Sequence, residues 1–173
     1  MTIRWPVRPP EATEWRAVED LYPAAFPGED LLPLVRALFA CEDCRNLVVA
    51  ERQAVLGHAA FTLCGVGDQA RAAALLGPVA VAPSHHGQGL GTALIKAGFE
   101  HLAAARVSHV LVLGDPAYYS RFGFTAEREI ATPCPIPDEW ADAWQSVRLL
   151  PDKAALHGVL QVPEPWLDPA LWA

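Results

Sequence analysis

The chain has 173 residues, of which 52% are hydrophobic and 19% charged, so it holds enough apolar surface for a sizeable core and is neither disordered nor low in complexity. A compact fold of this length hides roughly 70% of its unfolded surface without a disulfide or metal staple. With 13 Lys plus Arg against 20 Asp plus Glu, the net charge of -7 repels phosphate backbones and anionic lipid, which argues against nucleic acid and membrane surfaces as partners. The start carries no apolar run and no uncharged apolar stretch of about 18 residues follows, so a cytoplasmic protein is expected. Four cysteines (Cys41, Cys44, Cys64 and Cys134) are expected as reduced thiols; Cys41 and Cys44 have the spacing of two zinc ligands, but no second pair completes a site.

In chain order, Thr2 to Val7 reads as a short strand. Ala12 to Leu21 reads as a helix closed by Pro23, with Trp15, Val18 and Leu21 at helical spacing. Gly28 opens a second helix carrying Leu31, Leu34, Val35, Leu38 and Phe39. Leu47 to Glu51 and Ala54 to Cys64 flank Arg52-Gln53 as an antiparallel hairpin, and Arg71 to Val81 is a third apolar run. A helix from about Gly89 to Ala105 presents Leu90, Ala93, Leu94, Ala97, His101 and Ala105 as a stripe for a sheet. His109 to Leu113 is a short apolar strand of the kind buried on both faces in parallel pairing. Pro116 to Arg121 holds one or two helical turns, Gly123-Phe124-Thr125 restarts extended chain, Glu139 to Val147 reads as helix, and Gly158 to Val162 as a last strand. The fold class is α/β with a mixed sheet: hairpin strands first, then one parallel βαβ crossover, in a single domain over 1–173 with a Pro- and Trp-rich tail from about 131.

The most informative stretch is Pro83-Ser84-His85-His86-Gly87-Gln88-Gly89-Leu90-Gly91-Thr92, between a strand and a helix. Its glycines let successive amides point into one concavity, and the first amides of a helix have no internal acceptor, so the position attracts an anion such as a diphosphate. A Walker loop would need Gly-Lys-Ser or Gly-Lys-Thr, and no lysine occurs before Lys96. A dinucleotide fingerprint would need glycine where Thr92 stands. Both nucleotide readings fail.

The run His86-Gly87-Gln88-Gly89-Leu90-Gly91 resembles motif A of the GNAT superfamily of acyl-CoA-dependent N-acetyltransferases, with His86 where Gln or Arg is usual. Tyr119-Ser120-Arg121-Phe122-Gly123-Phe124 is similar to that family's Tyr-x-Lys-x-Gly-Phe element, and Val112 to Phe124 resembles the YhbS-type branch. The resemblance implies the GNAT fold, in which the strand before the loop and the strand after the helix splay apart around acyl-CoA. It implies acetyl-CoA as cosubstrate, its diphosphate on Gly87, Gln88, Gly89, Leu90 and Gly91 with His86 and Thr92 alongside, and Val79, Ala80 and Val81 offering main-chain groups to the pantetheine arm. Tyr119 is the implied general acid toward the CoA thiolate, since a phenol with an ordinary pKa of about 10 can hydrogen-bond or protonate a thiolate with a reference value of about 8.5. Tyr118 is assigned to packing and Asp115 to capping the next turn.

A general base does not stand out. Ala73 to Val81 holds no acid, leaving Glu29, Asp30, Glu51 and His58 as candidates. Trp140, Trp144, Trp166 and Trp172 are expected to pack the tail, or in part to wall the acceptor site. The expected activity is transfer of an acetyl group to a primary amine of a small molecule or peptide, by a monomer or homodimer without metal. The alternative is a non-catalytic acyl-CoA-binding or sensing module.

Overall fold

A computed structural model describes residues 5–173. The chain divides into two compact units, Met1–Phe61 with Gly77–Gly98, and Thr62–Leu76 with Phe99–Ala173. Among the described residues no helix is long and apolar enough to cross a membrane.

The first unit begins with Arg8, which forms an antiparallel bridge to Val48 through Arg8 N to Val48 O (3.1 Å) and Val48 N to Arg8 O (2.8 Å). The expected strand at Thr2 to Val7 is thus not seen at 5–7, and its earlier part lies outside the described residues. Helix α1 (Trp15–Ala25) follows a 3₁₀ turn and buries Val18, Leu21 and Tyr22, a stripe at intervals of three and four. It runs through Pro23 rather than stopping before it. Proline this close to the end removes one rung of the ladder, and Phe26 N closes the last turn on Tyr22 O at 2.8 Å.

Helix α2 (Leu32–Ala40) begins four residues later than Gly28 predicts. Pro33 sits in its first turn, where the missing N–H would have no acceptor in any case. Strand β1 (Cys44–Glu51) pairs with β2 (Ala54–Val66), and Ala82 N, just after β3 (Gln69–Val81), bonds Leu56 O at 2.8 Å. Val18, Leu21, Tyr22, Val35, Val48, Val55 and Ala80 form one apolar cluster.

Helix α3 (Leu90–Ala104) lies against β2 through two glycines. A Cβ on Gly57 would stand 3.0 Å from Leu94 Cδ1, and a Cβ on Gly98 would stand 2.1 Å from Phe61 Cζ. The buried line on α3 is Leu90, Leu94, Ile95, Gly98 and Leu102, whereas His101 and Ala105 are exposed. Periodicity placed the stripe correctly at its start and one position off at its end, because the bulky Phe61 ring selects the glycine face.

The sheet order is β5 (Thr125–Ala126), β7 (Trp144–Arg148), β4 (His109–Leu113), β3, β2, β8 (Gly158–Gln161), β6 (Ile130–Ala131), and the second unit holds all of it but the 54–61 part of β2 and the 77–81 part of β3. β4 (His109–Leu113) is parallel to β3, with Ala73, Ala74 and Leu75 opposite His109, Val110 and Leu111, which completes the βαβ crossover. β3 continues past this pairing through Pro78, which has no amide hydrogen to donate to a neighbour. Residues Glu139 to Val147 are not a helix. A 3₁₀ stretch (Asp138–Ala143) leads into strand β7 (Trp144–Arg148), antiparallel to β4 from His109↔Arg148 to Leu113↔Trp144. Local propensity yields here to the open edge of β4, a partner distant in sequence.

β5 (Thr125–Ala126) adds to β7, β8 (Gly158–Gln161) pairs with β2, and β6 (Ile130–Ala131), unforeseen from sequence, pairs with β8. The tail belongs to this unit. Trp144, Trp166 and Trp172 are buried, with Trp166 Nε1–H donating to Thr62 Oγ1 (3.0 Å) and Trp172 Nε1–H to Trp166 O (2.9 Å), while Trp140 stays at the surface. The cysteines are free thiols.

Candidate functional site

In the first unit the candidate residues gather at the loop between β3 and α3. The amides of His85 and His86 donate back to Ala82 O (2.9 Å) and Pro83 O (3.4 Å), forming a 3₁₀ turn. Gly87 and Gly89 then take left-handed conformations, with φ of 72° and 88°. A Cβ at either would meet nothing within 4 Å, so backbone conformation rather than crowding requires glycine there. Ala93 N is the first amide of the helix to find a rung, at Gly89 O (3.0 Å). Among the described residues, no main-chain carbonyl accepts from the amides of Gly87, Gln88, Gly89, Leu90, Gly91 or Thr92. These unspent donors, at the positive end of a fifteen-residue helix, fit an anion.

Side chains brace the loop from behind. The His86 ring donates from Nε2 to Val81 O at 3.0 Å, so this histidine ties the loop to the end of β3 and occupies the Val81 carbonyl. Gln88 Nε2 reaches Ser84 O (3.4 Å), and the Trp5 indole donates to Gln88 O (2.9 Å). The Trp5 contact spans 83 positions and carried no signal in the sequence. On β3, Ala80 is buried in the apolar cluster, whereas Val79 and Val81 are half-buried.

The same unit holds the candidate bases. His58 is 1% exposed; its Nε2–H donates to Asn46 Oδ1 (2.8 Å) and its Nδ1 accepts from the Tyr22 hydroxyl (2.5 Å). Burial pushes its pKa down to about 3, and both nitrogens are engaged, so His58 is a structural group and a poor base. Glu29 and Asp30 line a cleft of about 370 Å³ with Tyr22, Phe26 and Leu31. Glu51 is exposed at the end of β1.

In the second unit, a separate group of candidate residues follows β4. Asp115 caps helix α4 (Pro116–Tyr119) by accepting from Ala117 N at 2.9 Å, the role expected of it. Tyr119 packs edge-on against Phe124 (5.6 Å between centroids) and Tyr118 (5.0 Å). A Cβ on Gly114 would stand 2.5 Å from Tyr119 Cε2, so that glycine gives the ring its place. Burial pushes the Tyr119 pKa up to about 12, with a smaller contribution from Tyr118, and keeps its proton on. Among the described residues its hydroxyl has no hydrogen-bond partner. Tyr118 is engaged otherwise: Arg121 lies 4.4 Å above its ring and donates from Nε to its carbonyl (2.8 Å). Gly123, at φ 90°, ends the turn before Phe124.

Residues 15–124, from the first residue of α1 to the end of the Gly-Phe element, match the Acetyltransferase (GNAT) family. The chain belongs to the GNAT family. An uncharacterized N-acetyltransferase of Escherichia coli K12, YjhQ, is 30% identical over 163 residues, covering 90% of this chain and 88% of its own. Among solved structures, the GNAT family N-acetyltransferase YhbS from Escherichia coli in complex with CoA superposes with a TM-score of 0.83 at 26% identity, over 95% of this chain and 93% of that one. A GNAT family acetyltransferase from Brucella melitensis in complex with acetyl-CoA gives a TM-score of 0.74 at 27% identity, over 94% and 97%. The GNAT match contains both motifs and confirms the mixed α/β fold class.

Proposed function

We propose that this chain, as one catalytic domain over 1–173, moves an acetyl group from acetyl-CoA to a primary amine by direct attack, with the Tyr119 hydroxyl assisting departure of the thiolate. Family membership makes it an acetyl-CoA-dependent N-acetyltransferase. The observation that carries the assignment of the site is the run of unspent amides from Gly87 to Thr92 behind two left-handed glycines.

Acetyl-CoA supplies the acyl group already activated as a thioester. The amides of Gly87, Gln88, Gly89, Leu90 and Gly91, with Thr92 in the first turn of α3, hold the diphosphate, an arrangement that uses main-chain donors and needs no lysine. His86 serves the same cradle by holding its curve through Val81 O. Val79, the amide side of Ala80 and Val81 are the β3 groups for the pantetheine arm, and an N–H near Val79 or Val81 stabilises negative charge on the carbonyl oxygen.

Because burial holds Tyr119 near 12, the CoA thiolate, with a reference value of about 8.5, is the weaker base. The phenol therefore acts chiefly as a hydrogen-bond donor to the sulfur and stays protonated across the neutral range. A cationic acceptor finds carboxylates at Glu29 and Asp30 in the α1–α2 cleft, consistent with the net charge of -7. A cytoplasmic location suits this chemistry, and among the described residues no group of three or more His, Cys, Asp or Glu side chains could hold a metal ion.

The test is release of free thiol from acetyl-CoA over a panel of polyamines, lysine peptides and aminoglycosides. Turnover is expected with at least one amine, and Tyr119→Phe is expected to lower kcat by ~10²-fold or more. CoA binding without turnover on any amine, unchanged by Tyr119→Phe, would instead leave an acyl-CoA-binding module.

A further inference from the structure

We propose that Trp5 is a positioning residue for the diphosphate cradle: its indole N–H, by holding the Gln88 carbonyl, aims the amide of Gly89 toward the ligand. The inference rests on the reading of Gly87 to Thr92 as a diphosphate site. The peptide joining Gln88 to Gly89 is planar and trans, so its C=O and N–H point in opposite directions. Fixing one fixes the other. Trp5 Nε1–H donates to Gln88 O at 2.9 Å, which turns the Gly89 N–H to the opposite side of the loop, where no main-chain carbonyl among the described residues accepts it.

This peptide has particular need of a brace. It lies between two left-handed glycines, Gly87 and Gly89, the residues with the widest choice of backbone conformation, and neither offers a side chain to anchor the turn. The other braces act elsewhere: His86 on Val81 O, and the Gln88 side chain on Ser84 O. Trp5 is itself fixed by its edge-on contact with the His85 ring, 5.9 Å between centroids, and Ser84 Oγ meets His85 Nδ1 at 2.8 Å. Trp5, ahead of α1, thereby becomes part of the cofactor site through this hydrogen bond.

Trp5→Phe keeps an aromatic ring and removes the donor. Losing one neutral hydrogen bond that preorganises the loop is expected to weaken CoA binding roughly 3- to 10-fold. In calorimetric titrations of the full chain, CoA affinity falls by that factor in Trp5→Phe while affinity for pantetheine, which lacks the diphosphate, is unchanged. Equal weakening of both ligands, or no change in either, would overturn the clasp. If the unaltered protein binds CoA no more tightly than pantetheine, the diphosphate reading itself falls and the clasp with it. A second measurement needs no stable variant: in the unaltered protein the Trp5 indole N–H resonance is expected to shift when CoA is added, and an unmoved resonance at saturation would also overturn the proposal.

Discussion

Gly98→Ala separates what a helix alone prefers from what this fold permits. In an exposed helix interior the substitution is favourable by about 1 kcal/mol, since glycine is the poorer helix former. Here the new Cβ would lie 2.1 Å from Phe61 Cζ, 2.2 Å from Cε2 and 2.8 Å from Cε1. Ordinary contact requires at least 3.4 Å, so the ring must retreat by more than an ångström. Phe61 is 0% exposed in the middle of β2 and has no solvent to swing into. Overpacking of a filled core costs about 1–3 kcal/mol and at times more, which outweighs the helix gain. A net loss of about 1–2 kcal/mol corresponds to a fall in Tm of roughly 2–8 °C for a chain of this size.

Differential scanning calorimetry of the single variant gives the first answer, and the double-mutant cycle with Phe61→Leu gives the decisive one. With the ring replaced by a shorter side chain, adding the methyl should become neutral or stabilising. A Tm for Gly98→Ala at or above that of the unaltered protein, or the same loss in the Phe61→Leu background, would refute the packing argument.

Further outcomes follow from the same geometry. Gly114→Ala puts a Cβ 2.5 Å from Tyr119 Cε2; displacing the ring should lower kcat by about 10-fold or more while CoA affinity by calorimetry is retained, and parallel losses in both would count against it. Gly89→Ala places a side chain at φ 88°, and is expected to cost about 1 kcal/mol of stability and to raise the Kd for CoA. The unfolded chain protonates His58 near pH 6.5 but the folded chain only near 3, so stability falls as pH drops through that window, by up to about 1.4 kcal/mol per pH unit. His58→Gln should flatten that dependence between pH 7 and 4.5 in urea unfolding; an unaltered slope would contradict it. Since Tyr119 must stay protonated and its pKa is near 12, kcat/KM should rise with amine deprotonation through pH 6–10 without a descending limb assignable to this phenol.

The sequence by itself determined the elements whose signals are local. The apolar runs of β1, β2, β3 and β4, the glycine loop with its helix, the Asp115 cap and the order hairpin-then-crossover all follow from periodicity and from residues that punctuate the chain. Two motifs joined by one βα unit also carried the family, which the match over 15–124 bears out. Tertiary structure decided whatever depended on a distant partner. It made Trp144–Arg148 a strand because β4 offered an edge, turned the buried face of α3 toward Phe61, and carried α1 through Pro23. It also removed His58 from the bases by enclosing it between Tyr22 and Asn46, and brought Trp5 onto Gln88. Hydrogen bonds and ring contacts between residues tens of positions apart leave no periodic trace in the chain. Their energy is gained only after the intervening segment has folded, so they are properties of the assembled packing and not of any window of sequence.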